Sequence, residues 1–301
     1  MTRFLYESVE STPEEKAAQQ ERYKRVAETN SKFKKDSESK QLSFQFPDTF
    51  PVLPNSFAPM NNYLAKSSIF APIKRGKRAY RKNILKYKSD LIEIRVTGEQ
   101  LDMSDEDLFF ELMILVQGKP HTEPVITSRY HLLSELKKCS SGNNYKWLHQ
   151  SILRLVGTTI DMTYGRQNCV FNLVGKVTTD EATDKMIIHF QPESLALFAN
   201  ARFAFINKLN RERFKNKVDL CKWLQTYVSS NRKGEHHQIS LIKLQEHSGG
   251  YGGDIRTFKL RLKIAINELL SVKELEEGYI SEDNIFHYVR PKHHGKRLPT
   301  T

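Results

Sequence analysis

No run of about eighteen apolar residues occurs in this chain. Its first residues, Met1-Thr2-Arg3-Phe4-Leu5-Tyr6-Glu7, carry no hydrophobic stretch of the signal-peptide kind, so the sequence predicts a cytoplasmic protein with no membrane partner. Only three cysteines occur, Cys139, Cys169 and Cys221, and no C-x-x-C pair is among them, which argues against a disulfide framework and for reduced thiols. The histidine pairs His236-His237 and His293-His294 have no cysteine or carboxylate at metal spacing, so no metal site and no cofactor is predicted. A phosphate-binding P-loop is also missing, because Gly118-Lys119, Gly175-Lys176 and Gly295-Lys296 are followed by Pro, Val and Arg rather than Ser or Thr.

Acid is scarce in one place above all. From Lys66 to Lys88 the chain carries Lys66, Lys74, Arg75, Lys77, Arg78, Arg81, Lys82, Lys86 and Lys88 with no Asp or Glu, and Tyr80 and Tyr87 lie among them. Pro72 and Gly76 interrupt the segment and speak against an amphipathic membrane helix. A solvated linker and an arm along a DNA backbone both fit, with Lys74, Arg75, Lys77 and Arg78 as the candidate phosphate contacts. The whole chain has a net charge of +12, which favours a polyanionic partner, nucleic acid first.

Charge and proline divide the chain. Residues 1–50 read as a flexible charged tail, too poor in large apolar groups over the first forty positions to offset the cost of ordering. Residues 51–90 read as a proline-containing tether with the basic arm, since Pro47, Pro51, Pro54, Pro59 and Pro72 bar a long helix. Leu91 to Thr97 alternates like a strand, and Asp105 to Val116 reads as a helix whose first-turn acids suit its dipole.

A local design then occurs twice. Val125 to Ser128 leads into a short helix, Arg129 to Leu136, then the turn Cys139 to Gly142, a longer helix, Asn143 to Val156, and a hairpin of 158–164 with 169–174. His237 to Ser240 leads into Leu241 to His247, a glycine-rich turn from Ser248 to Gly253, a long helix from Ile255 to Leu270 and a hairpin of 275–280 with 285–290. Helix, turn, helix and hairpin make a winged helix, so the expected fold is α+β with two tandem winged-helix domains, 91–205 and 206–301, behind a flexible N-terminal tail.

At about 100° per residue the long helices show two faces each. Phe258, Leu262, Ala265 and Leu269 form one apolar stripe, and Tyr145, Leu148, Ile152 and Leu155 the other; both are expected in the core. Arg256, Lys259 and Lys263 fall on a separate polar stripe, as do Asn143, Lys146, Gln150 and Arg154. These residue types pair with base edges and phosphates in a major groove, and they are the candidate DNA contacts against the plainer reading of a solvated face. No catalytic residue is assigned. Ile187-Ile188-His189-Phe190-Gln191 is similar to the His-apolar-Gln metal site of replication nickases, but strand alternation alone yields such a triplet.

Several spaced boxes resemble the TrfA-type initiators of plasmid replication: Pro54-Asn55, Lys66-Ser67-Ser68-Ile69-Phe70, Thr97-Gly98-Glu99-Gln100-Leu101 with Asp105-Glu106-Asp107, Glu123-Pro124-Val125 and Ala196-Leu197-Phe198-Ala199. The likeness covers roughly residues 41–290. It implies a non-enzymatic cytoplasmic protein of a bacterium that binds repeated double-stranded sites (iterons) at a plasmid origin, helps to open the adjacent duplex and recruits host replication proteins. The host sliding clamp, the replicative helicase and the chromosomal initiator are the partners so implied, together with a homodimer. Gln41-Leu42-Ser43-Phe44-Gln45-Phe46 stands where the family carries a clamp-binding peptide, with Gln41, Leu42, Phe44 and Phe46 as its anchors; a core strand is the competing reading. A metal-dependent nickase and a winged-helix transcription repressor are the alternatives in other classes.

Overall fold

A strand, two helices and a hairpin occur twice, and between and before them lie further strands that build separate small sheets. The computed structural model describes residues 47–54, 56–73, 78–201 and 203–292, all within one unit, Phe44–Thr301. Residues 1–46, with Gln41, Leu42, Phe44 and Phe46, lie outside the described residues, as do Lys74, Arg75 and Lys77; Phe50, expected at the end of the flexible tail, is instead buried in the core. The first part of the chain forms β1 (Phe57–Asn61), α1 (Asn62–Ala65), β2 (Phe70–Ala71), β3 (Tyr80–Lys88), β4 (Ile92–Glu99), β5 (Leu101–Asp102) and α2 (Met103–Leu115). The middle forms β6 (Val125–Ser128), α3 (Arg129–Glu135), α4 (Gly142–Val156), β7 (Thr159–Tyr164), β8 (Gln167–Asn172), β9 (Lys176–Thr179) and β10 (Lys185–His189). A 3-10 helix (Pro192–Ala201), β11 (Phe203–Asn207), α5 (Lys208–Arg211) and α6 (Val218–Ser229) lead to the last part. That part is β12 (His236–Ser240), α7 (Leu241–His247), α8 (Ile255–Ser271), β13 (Glu277–Ile280) and β14 (Ile285–Val289).

The two copies share one topology. In the first the sheet order is β6-β10-β9, in the second β12-β14-β13, so the entering strand pairs with the last strand of the hairpin in both. Ser128 stands opposite Lys185 and Ser240 opposite Ile285, each pairing the last residue of the entering strand with the first of the closing one. The same two serines cap the short helices, accepting from the backbone N–H of His131 and Lys243.

The hairpin of the first copy is therefore not the one expected. Strands β7 and β8 do pair with each other, but β7 also pairs with β4 in a separate sheet ordered β3-β4-β7-β8. The register puts Ile160, Met162 and Tyr164 beside Val96, Ile94 and Ile92, one continuous apolar face. The closing hairpin is β9–β10, turning at Asp180 to Asp184, where Asp180 accepts from the backbone N–H of Ala182.

The proline-rich stretch is no tether either. Strand β1 pairs antiparallel with β11, and Ala58, Met60, Leu64, Ile69 and Phe70 are buried. Prolines forbid a long helix but are compatible with a short strand in a two-stranded ladder. Residues of the expected basic arm form β3, an edge strand on β4. Both apolar helix stripes turn inward as expected: Phe258, Leu262, Ala265 and Leu269 are buried, as are Leu148, Ile152 and Leu155, with Tyr145 packed at the margin. Among the described residues no helix is long and apolar enough to cross a membrane.

Helix α2 holds these parts together electrostatically. Asp102 caps it, accepting from the N–H groups of Ser104 and Asp105. Its acids do more than suit the dipole, for each is matched by a cation from elsewhere in the chain. Arg78 bonds Asp102 and Asp105, Arg154 of α4 bonds Asp105, Arg211 of α5 bonds Glu106 and Asp107, Lys222 of α6 bonds Asp107, and Lys208 bonds Glu111.

Candidate nucleic-acid interface

Helix α8 begins where a glycine-rich turn ends. Gly249, Gly250, Gly252 and Gly253 all have positive φ, the region where a side chain is strained. At Gly252 a Cβ would lie 3.3 Å from the backbone N of Phe258, so the missing side chain also lets the turn pack closely on the first turn of α8. Asp254 then caps α8, accepting from Thr257 N–H at 2.8 Å.

With one stripe buried, the opposite face of α8 is fixed outward. Arg256 and Lys263 are exposed on it. Lys259 is half-buried, and its Nζ donates to Asn284 Oδ1 at 2.6 Å, which ties the helix to the tip of the β13–β14 hairpin. None of the three enters an ion pair among the described residues. The one acid within α8, Glu268, is occupied with Asn216, whose side-chain amide donates to it at 2.7 Å. The outer face therefore keeps its positive charge.

Helix α4 occupies the equivalent place in the first copy. Ser141 caps it through Asn144 N–H, and Asn143, Lys146 and Gln150 are exposed together. Arg154 does not join them. Its side chain is 10% exposed and bonds Asp105, a carboxylate with no exposure at all. A buried carboxylate left without a cation is far costlier than a solvated arginine gains at the surface, so Arg154 folds inward. Arg78 meets the same fate: its Nη1 donates to Asp105 at 3.0 Å and to the carbonyl of Gln100 at 2.8 Å. Both were expected to face DNA, and both are structural.

Lys86, in the basic stretch, is likewise engaged. Its Nζ donates to the carbonyl and hydroxyl of Ser68 and to Gln100 Oε1. Burial, aided by the nearby Arg81, brings its ammonium down to about 8. The nickase-like triplet is split by its surroundings, because Gln191 Oε1 accepts from the backbone N–H of Asn172 at 3.0 Å. No group of three or more His, Cys, Asp or Glu side chains arranged to hold a metal occurs among the described residues.

Two residues of the outer face escape a reading of the sequence. Leu260 is 61% exposed and Ile264 38% exposed. They lie between Arg256 and Asn267 on the same side of α8, and a search for polar side chains on a helical wheel passes over them.

Two solved structures of RctB domains 2 and 3 are similar to this chain, each at 14% identity and a TM-score of 0.52, covering 76% or 75% of it and 97% or 95% of their own chains. At that identity the likeness is one of fold. No curated protein matches the sequence. A family model described as TrfA protein matches residues 11–290, and the chain therefore belongs to the TrfA protein family.

Proposed function

We propose that this protein is a plasmid replication initiator without catalytic activity of its own. It has two winged-helix domains, and it lays α8, and with it α4, into the major groove of repeated double-stranded sites at an origin. It helps to open the adjacent duplex and recruits the host clamp, helicase and chromosomal initiator, acting in the bacterial cytoplasm.

One observation carries the reading. Two helices at equivalent positions of two copies of one topology each turn outward a face of cations and amides with no free carboxylate, Arg256 and Lys263 on α8, Asn143, Lys146 and Gln150 on α4. Such faces match base edges and phosphates, and the second helix of a helix-turn-helix is the one that enters the groove. Membership of the TrfA family and the RctB-like fold support the same conclusion.

Footprinting on the DNA that flanks the protein's own gene tests it. Protection of evenly spaced repeats is expected. A single protected operator would instead favour a repressor, and relaxed, protein-linked plasmid in the presence of a divalent metal would favour a nickase.

A further inference from the structure

The exposed apolar pair on α8 calls for an occupant. Lone surface leucines are ordinary and need none. Leu260 and Ile264 are different in their setting: they stand one turn apart, 61% and 38% exposed, and Arg256, Lys263 and Asn267 lie within about 60° of Leu260 around the helix. An apolar pair flanked along one side by the exposed cations Arg256 and Lys263 fits a surface that is strongly negative and yet presents apolar groups. A second copy of this chain, with its net charge of +12, does not supply the negative charge. The major groove of a duplex does, and its one apolar group is the C5-methyl of thymine.

We propose that Leu260, with Ile264 beside it, reads a thymine methyl group in the site bound by α8, and so sets sequence preference where the flanking cations set affinity. This rests on the reading of α8 as the groove-entering helix. Arg256 and Lys263 hold the phosphates and base acceptors, and Leu260 closes over the methyl and excludes water from it. The central position of Leu260 on the face makes it the principal contact, Ile264 the supporting one.

The test uses the full-length protein and duplexes that it selects from a randomised pool. Each thymine of a selected duplex is replaced in turn by deoxyuridine, which removes only the methyl group and leaves base pairing and O4 unchanged. At one or two positions the replacement should weaken binding by about fourfold, the effect of one buried methyl. In Leu260→Ala that sensitivity should vanish at one of those positions, while sensitivity to base-pair changes elsewhere persists. Circular dichroism of the variant controls for folding, and an exposed leucine-to-alanine change within a helix leaves it intact. If no thymine responds, or if the response is undiminished in Leu260→Ala and in Ile264→Ala, the inference is wrong although the initiator reading stands. If no duplex is selected at all, both fall together.

Discussion

Replacing Arg211 by methionine removes the cation from a deeply buried charge cluster of the fold. Arg211 is 4% exposed and Glu106 2%. The guanidinium also donates to Asp107 Oδ1 at 2.6 Å and to the carbonyl of Lys222 at 2.9 Å. Burial raises the Glu106 carboxyl to about 7 despite the attraction of Arg211. At Asp107 burial acts in the same direction, but Arg211 and Lys222 outweigh it and hold that carboxyl below its ordinary value. The two acids therefore respond to pH in opposite senses. Glu106, raised above its unfolded value of 4.5, contributes stability that is complete below that value and is lost as pH rises through about 7. Asp107, depressed, contributes stability that is present above 3.8 and lost as pH falls below it.

At pH 5 Glu106 is neutral and Asp107 retains Lys222, so Arg211→Met should cost only the lost hydrogen bonds, about 2–3 kcal/mol. At pH 8 the same change leaves Glu106 either charged without its partner or protonated against the pH, and the cost should rise to about 3–5 kcal/mol. Urea denaturation of the full-length protein at the two pH values measures both. Equal costs at pH 5 and pH 8, or a cost below about 1 kcal/mol at pH 8, would refute the assignment of Glu106 as the group that Arg211 neutralises.

Other consequences concern surface and core cations separately. Arg154→Ala should lower stability by about 1–3 kcal/mol in the same denaturation assay, because Asp105 loses one of two arginines, and should leave DNA affinity at unchanged stability untouched. Arg256→Ala or Lys263→Ala should do the reverse: binding to a protected site weakens by about 1–3 kcal/mol by fluorescence anisotropy, with the unfolding midpoint unmoved. Leu42→Ala combined with Phe44→Ala should abolish capture by immobilised sliding clamp and leave DNA affinity as it was; retention of clamp capture would return the 41–46 segment to the status of an ordinary tail.

Legibility follows the range of the interactions involved. The stripe Phe258, Leu262, Ala265, Leu269 is local to one helix, and periodicity alone places it in the core. The serine caps at Ser128 and Ser240 are equally readable, since cap and first turn are neighbours in sequence. Strand β7 is recognisable as a strand but not by its neighbour, because an alternating strand specifies a face and not a partner, and the partner β4 ends sixty residues before β7 begins. Residues 57–71 read as a tether for the same reason: what makes β1 a core strand is β11, on the far side of the first repeat.

Arg154 and Arg256 show where sequence pattern fails for function. Each lies on the polar side of the long helix of its repeat, and nothing local distinguishes them. The distinction is made by α2. Asp102, Asp105, Glu106, Asp107 and Glu111 are each paired with at least one of Arg78, Arg154, Lys208, Arg211 and Lys222. By formal charge five carboxylates and five cations cancel, so these residues add nothing to the formal net charge of +12. The excess therefore resides in cations outside the cluster, Arg256, Lys263 and Lys146 among them. It follows that salt should act on the two sets differently. Exposed cations that displace counterions from DNA give binding a steep salt dependence, whereas the enclosed α2 pairs are screened little. Raising salt should strip the protein from DNA well before it loosens the fold, and coincident loss of binding and of structure in a salt titration would contradict this division of charge.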